Sequence, residues 1–208
     1  MATAFAGPLS RFFAGADPGE ADRLRAGVEA WRRDLRGAVA DKVSAELEWD
    51  ERRDVAFEAD LGEAGWIALR LLAFYAERSD LEWPDDVPAL CELDPHWRAA
   101  ADAKFPRSLY GQLLACELWL PGEFPVTLRA PRPDGETVEI GSVVVLHDQL
   151  TWLNQRTFQA DADAIRRWRE LDARAGSAFL PAARRGFAAL WGAADVARRE
   201  SVPLVVRP

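Results

Sequence analysis

Two histidines and two cysteines limit the chemistry this chain can assemble. His147 and Asp148 form the adjacent pair used by metal-dependent phosphohydrolases of the HD type, but that chemistry draws further histidines from other helices, and only His96 remains. Cys91, His96, Cys116 and His147 have the ligand types of a zinc site without the close pairing of a structural zinc signature. Cys116, His147 and Asn154 have the residue types of a cysteine hydrolase, in which imidazole raises the thiolate population and an amide orients the ring. No strained or glycine-rich turn surrounds Cys116, so a core cysteine on an apolar helix explains it better.

No phosphate-cradling motif is present, neither G-x-x-x-x-G-K-[ST] nor G-x-G-x-x-G after a strand, which leaves ATP and dinucleotide use unsupported. The expectation is no cofactor, no metal and no catalytic residue. With 34 carboxylates, acidic pairs such as Asp161 with Asp163 arise by chance or as helix caps. Arginine pairs occur at 32–33, 52–53, 166–167, 184–185 and 198–199, and such forks suit phosphate or carboxylate ligands. Salt-bridged faces are the stronger reading, since Glu29, Asp163, Glu170 and Asp195 stand three or four positions away on the same helices.

Recognition is better supported than catalysis. Of nine tryptophans, Trp31, Trp66, Trp168 and Trp191 fall on apolar stripes where burial accounts for them. Trp49, Trp83, Trp97, Trp119 and Trp152 are less constrained, and aromatics near loops are favoured anchors for ligands and partners. The most distinctive stretch is Ser108 to Phe158, and the candidate binding residues are Trp119, His147, Trp152, Asn154 and Arg156. The competing explanation is that Asn154, Gln155 and Arg156 simply end a helix and satisfy its last carbonyls.

A formal charge of -8 sets up a field that repels nucleic-acid phosphates and favours a basic protein partner. Homo-oligomerisation remains open. The longest apolar run, Trp66 to Ala76 broken by Arg70, is about half a bilayer span, so no membrane association is expected. Met1 to Ser10 lacks a signal-peptide pattern, which makes cytoplasm the expected compartment and reduced cysteines the expected state. Basic residues are nearly all arginine, a bias that reads as high-GC bacterial coding.

These residues must be positioned by helices first. Asp17-Pro18-Gly19-Glu20 opens a helix whose Leu24, Val28, Trp31, Leu35, Val39, Val43 and Leu47 share one stripe. A central helix is expected over 61–77, a short one from Pro95 to about Lys104, and, after Pro106, another over 108–120. From Phe124 the period becomes two, and Pro133-Asp134-Gly135 turns the chain, predicting a β-hairpin near 124–140. Leu204-Val205-Val206 is the candidate for a third strand. Helical spacing returns over 143–157 behind a Ser142 cap, then at Ile165, Trp168, Leu171 and Ala175, then from about Ala178 to Glu200.

The expected fold is a single domain over 1–208, mostly α (α+β): a compact, bundle-like arrangement of about seven helices with one small hairpin. The expected function is a non-catalytic, protein-binding or neutralising acidic bacterial protein, like immunity proteins against toxins in charge and size alone. The alternative is a small-molecule-binding protein or enzyme, its pocket formed by the 108–120 helix, the hairpin and the 143–157 helix, with His147 as acid or base and Arg156 as anion clamp.

Overall fold

The structure, a computed structural model, describes residues 1–15, 17–103, 105, 108–169 and 178–208. In chain order the elements are β1 (Thr3–Ala6), α1 (Leu9–Ala14), α2 (Pro18–Val39), β2 (Phe57–Asp60), α3 (Glu63–Ala76), a 3-10 turn (Cys91–Leu93), α4 (Pro95–Asp102), α5 (Gly111–Ala115), β3 (Leu118–Leu120), β4 (Leu128–Pro131), β5 (Thr137–Ser142), α6 (Val143–Arg156), α7 (Ala162–Arg169), α8 (Phe179–Glu200) and β6 (Leu204–Arg207).

Local chemistry sets most helix starts. Asp17 Oδ1 accepts from the Gly19 and Glu20 amides at 2.9 and 3.3 Å, and Asp94 Oδ1 accepts from His96 and Trp97 at 2.9 Å, in each case with proline next in the chain. Ser142 Oγ accepts from Val145 at 3.2 Å to open α6. α1 has no cap from its own N-terminus. The buried Glu51 carboxylate reaches it from a distant segment, accepting from the Leu9 and Ser10 amides at 3.1 and 2.9 Å and from the Trp49 indole.

All six strands join one mixed sheet in the order β2-β1-β6-β3-β5-β4, with β3 and β5 parallel and the other neighbours antiparallel. The protein is thus an α/β domain, and the expected mostly helical bundle with one hairpin is overturned by this sheet. The hairpin exists as β4 and β5, starting at Leu128 instead of Phe124. The C-terminal segment is a strand too, but it lies between β1 and β3. The expected 108–120 helix is α5 followed by β3, because Leu118-Trp119-Leu120 is buried on both sides and so lacks alternation.

Alternation along the strands divides two cores. Ala4, Ala6, Trp119, Leu204 and Val206 face a layer containing α3, α5, α6 and α8. Phe5, Leu118, Leu120, Val138, Ile140 and Val205 face α1, α2 and the Val43–Trp49 segment. α3 and α8 meet at Gly65 and Gly186, where a Cβ on Gly186 would collide with the Gly65 carbonyl. The expected continuation of the Ile165 helix through Leu171 and Ala175 lies outside the described residues, as do Lys104, Pro106 and Glu170. Among the described residues no helix is long and apolar enough to cross a membrane.

Candidate functional site

The five candidate binding residues separate into different environments. Trp119 is wholly enclosed in β3, against Gly141 of β5, and offers a partner no surface. Asn154 clamps the chain leaving α6: its Nδ2 donates to Ala160 O at 2.9 Å and its Oδ1 accepts from Ala160 N at 3.0 Å. Its partner lies beyond α6 and is not one of the last helix carbonyls, so the side chain shapes the turn that follows the helix. Trp152 is 47% exposed on α6, and Arg156, one turn on, is also exposed.

His147 is the centre of a small polar cluster between α6 and α8. Arg198 Nη1 lies 2.8 Å from its Nδ1, and the ring lies 4.9 Å from that of Trp191. A guanidinium can only donate, so Nδ1 is the acceptor and the imidazole is neutral with its proton on Nε2. Partial burial and the Arg198 charge both push the His147 pKa down from 6.5, against the weaker pull of Asp148 and Asp195. Asp148 sits 3.7 Å from Arg198, so its carboxylate serves the guanidinium and does not orient the imidazole. The lone pair that a general base needs is therefore occupied. The cleft bordering Trp191 and Asp195, about 130 Å³, is lined from α7 and α8 without His147 and is smaller than a usual ligand pocket.

The thiols are equally withdrawn. Burial, first among several influences, pushes Cys91 up to about 11 and Cys116 higher still. Among the described residues no three His, Cys, Asp or Glu side chains group as metal ligands, so Cys91, His96, Cys116 and His147 are not brought together. Between α5, the hairpin and α6, buried side chains span the space. Gln112 Nε2 donates to Phe124 O and Val126 O, its Oε1 accepts from Ser142 N, and Gln149 Oε1 accepts from Leu113 N. Several arginines are engaged: Arg32 with Trp49 O, Arg53 with Glu200, Arg166 with Asp163 and Arg199 with Asp195.

A different surface stands out, the connection between α3 and α4. Residues 77–94 hold seven acids against Arg78 alone. Glu77 and Asp94 are used structurally: Glu77 accepts from Ser108 Oγ and Leu109 N, both at 2.6 Å, and Asp94 accepts from Tyr75 Oη at 2.6 Å while capping α4. The remaining Asp80, Glu82, Asp85, Asp86 and Glu92 are exposed. Among them Trp83, Leu90 and Leu93 are 41, 54 and 57% exposed. The loop is held mid-way as well, since Phe179 N donates to Asp85 O at 2.9 Å and Trp83 packs against the Phe179 ring. Taking carboxylates only as chance pairs or helix caps passes over these acids. The signal available was their one-sided charge beside large apolar residues.

Comparison with family models, with curated proteins and with solved structures finds no match for this chain.

Proposed function

We propose that the protein is a non-catalytic binding protein that docks, and by docking neutralises, a basic protein partner in the bacterial cytoplasm. Its docking surface is the α3–α4 loop. The observation that carries this reading is the combination in residues 77–94 of five exposed acids with exposed Trp83, Leu90 and Leu93. Apolar anchors inside a charged rim are the usual anatomy of a recognition surface, and the charge gives long-range attraction to a cationic partner. Loops this long inside a compact domain are usually functional, and anchoring at Glu77, Asp85 and Asp94 lowers the entropy lost on binding. Buried, unpaired Cys91 and Cys116 fit a reducing compartment.

The test compares tagged wild-type protein with a Trp83→Ala, Leu93→Ser variant and with Trp152→Ala, each checked for an unchanged melting temperature. Capture from host lysate should yield a basic protein that is retained by Trp152→Ala and lost by the loop variant. Loss of an aromatic anchor costs about 2 kcal/mol, roughly thirtyfold in affinity, and raising the salt should weaken capture further. A partner held equally by the loop variant would refute this assignment, and one lost only with Trp152→Ala would move the surface to α6.

A further inference from the structure

The outermost strand carries a docking geometry that shares no residue with the acidic loop. Among the described residues β2 has one strand neighbour, β1. Leu61 N donates to Ala2 O at 3.0 Å, which marks that pair as a hydrogen-bonded one. Antiparallel ladders alternate bonded and non-bonded pairs, so Ala59 and Phe57 direct their backbone groups at Ala4 and Ala6. The Gly7 N to Pro203 O bond on the far side of β1 assigns Thr3 and Phe5 to β6, in agreement. Glu58 and Asp60 therefore turn their N–H and C=O groups outward. Their side chains are exposed, while those of Phe57 and Ala59 pack toward α8. A cavity of about 360 Å³ is lined by all four strand residues and by Arg169, Arg185 and Ala189. Arg169 bonds to Ala188 O and lies 5.5 Å over the Phe57 ring.

We propose that β2 is a strand-addition site that takes an extended segment of another protein in which lysine or arginine alternates with apolar residues. Backbone bonds to Glu58 and Asp60 supply the common affinity, and the side-chain cleft supplies the selection. A second copy of this chain is the occupant that the charges refuse. Bonded pairs across the new junction must use Glu58 and Asp60 from both strands, so every antiparallel register sets acid opposite acid. An alternating basic segment instead places its cations opposite Glu58 and Asp60. Its intervening side chains enter the cleft, where the Arg169 guanidinium repels a further cation but accepts an apolar group beside Phe57. The pattern of charge, and not its sum, is what the edge selects.

Fluorescence anisotropy with two peptides of one composition tests this, one alternating lysine with valine and one with its lysines contiguous. The alternating peptide should bind about tenfold more tightly, because contiguous lysines must put a cation into the cleft beside Arg169 or leave an acid of β2 facing valine. Glu58→Pro removes an outward N–H that β1 does not use, so the protein should keep its fold while peptide affinity drops about tenfold. Glu58→Lys should weaken binding comparably by placing like charges opposite each other. Amide hydrogen exchange on the unaltered protein needs no variant: saturating peptide should slow exchange at Glu58 and Asp60. Equal affinity for the two peptides, no detectable binding, or unchanged exchange at Glu58 and Asp60 would each overturn the assignment.

Discussion

His147 shows how a residue chosen for chemistry becomes a stability element. Partial burial disfavours its charged form, and the Arg198 guanidinium on Nδ1 adds to that, so the native state favours the neutral imidazole. The native pKa lies below 6.5, near which the unfolded chain titrates. As pH falls through 6.5, the unfolded state takes up a proton that the native state refuses, and stability decreases until the native value is passed. Urea midpoints of wild type and His147→Gln, measured from about pH 7.5 to about pH 5.5, should diverge, with the wild type losing more on acidification. Parallel curves would mean that neither burial nor the Arg198 charge holds His147 neutral in the native state. The same pairing explains why His147 is a poor candidate for a general base: the sequence displays its ring but not the guanidinium brought to it from α8.

At the scale of elements, the α3–α8 crossing depends on two residues with no side chain. Gly65 and Gly186 let α3 and α8 approach until a Cβ on Gly186 would strike the Gly65 backbone, which cannot give way as a flexible side chain would. Gly186→Ala should therefore lower stability by about 1–3 kcal/mol. Gly27→Ala, in open space within α2, should raise it by roughly 0.5–1 kcal/mol through helix propensity and lower unfolded-state entropy. Equal effects in urea melts would show that the crossing is looser than drawn. Helix starts were legible where a cap announces them, at Asp17-Pro18, Asp94-Pro95 and Ser142; the ends were less so, since α2 stops at Val39 and leaves Val43 and Leu47 of its stripe in the following segment, and the six-residue α1 has no such signal. The hairpin was legible through its alternation and its Pro133-Asp134-Gly135 turn. β1, β2 and β3 were not, since three or four residues barely complete one alternation, and the alanines of Thr-Ala-Phe-Ala dilute the strand preference of its Thr and Phe. Exposure of Trp83, Leu90 and Leu93 was hidden for another reason. It depends on where Glu77 and Asp94 pin the loop, and that is decided by Ser108, Leu109 and Tyr75 elsewhere in the chain.

For the whole molecule, the controlling fact is that its two cores share one sheet whose middle is closed by the last strand. β6 joins β1 to β3, pairing Thr3 with Arg207 on one side and Leu118 with Val205 on the other. Leu204 and Val206 belong to the α3–α8 core and Val205 to the α1–α2 core, so one strand contributes to both layers at once. Shortening the chain before Leu204 divides the sheet into β2-β1 and β3-β5-β4 and leaves two formerly central strands as edges. A two-stranded remnant is marginal in water, and the apolar faces on both sides would be uncovered. The shortened chain should lose its cooperative urea transition and expose apolar surface to a hydrophobic dye. A circular permutant should behave differently. With residue 208 linked to residue 1 beside the Thr3–Arg207 pair and the chain opened at the exposed Asp134–Gly135 turn, every strand is retained in its place. Its transition should stay cooperative, with a midpoint close to that of the parent. If the shortened chain also unfolded in one cooperative transition, the two halves of the sheet would hold together without β6 and its closing role would be refuted. If the permutant failed along with it, the order in which strands are supplied, and not only the presence of β6, would govern folding.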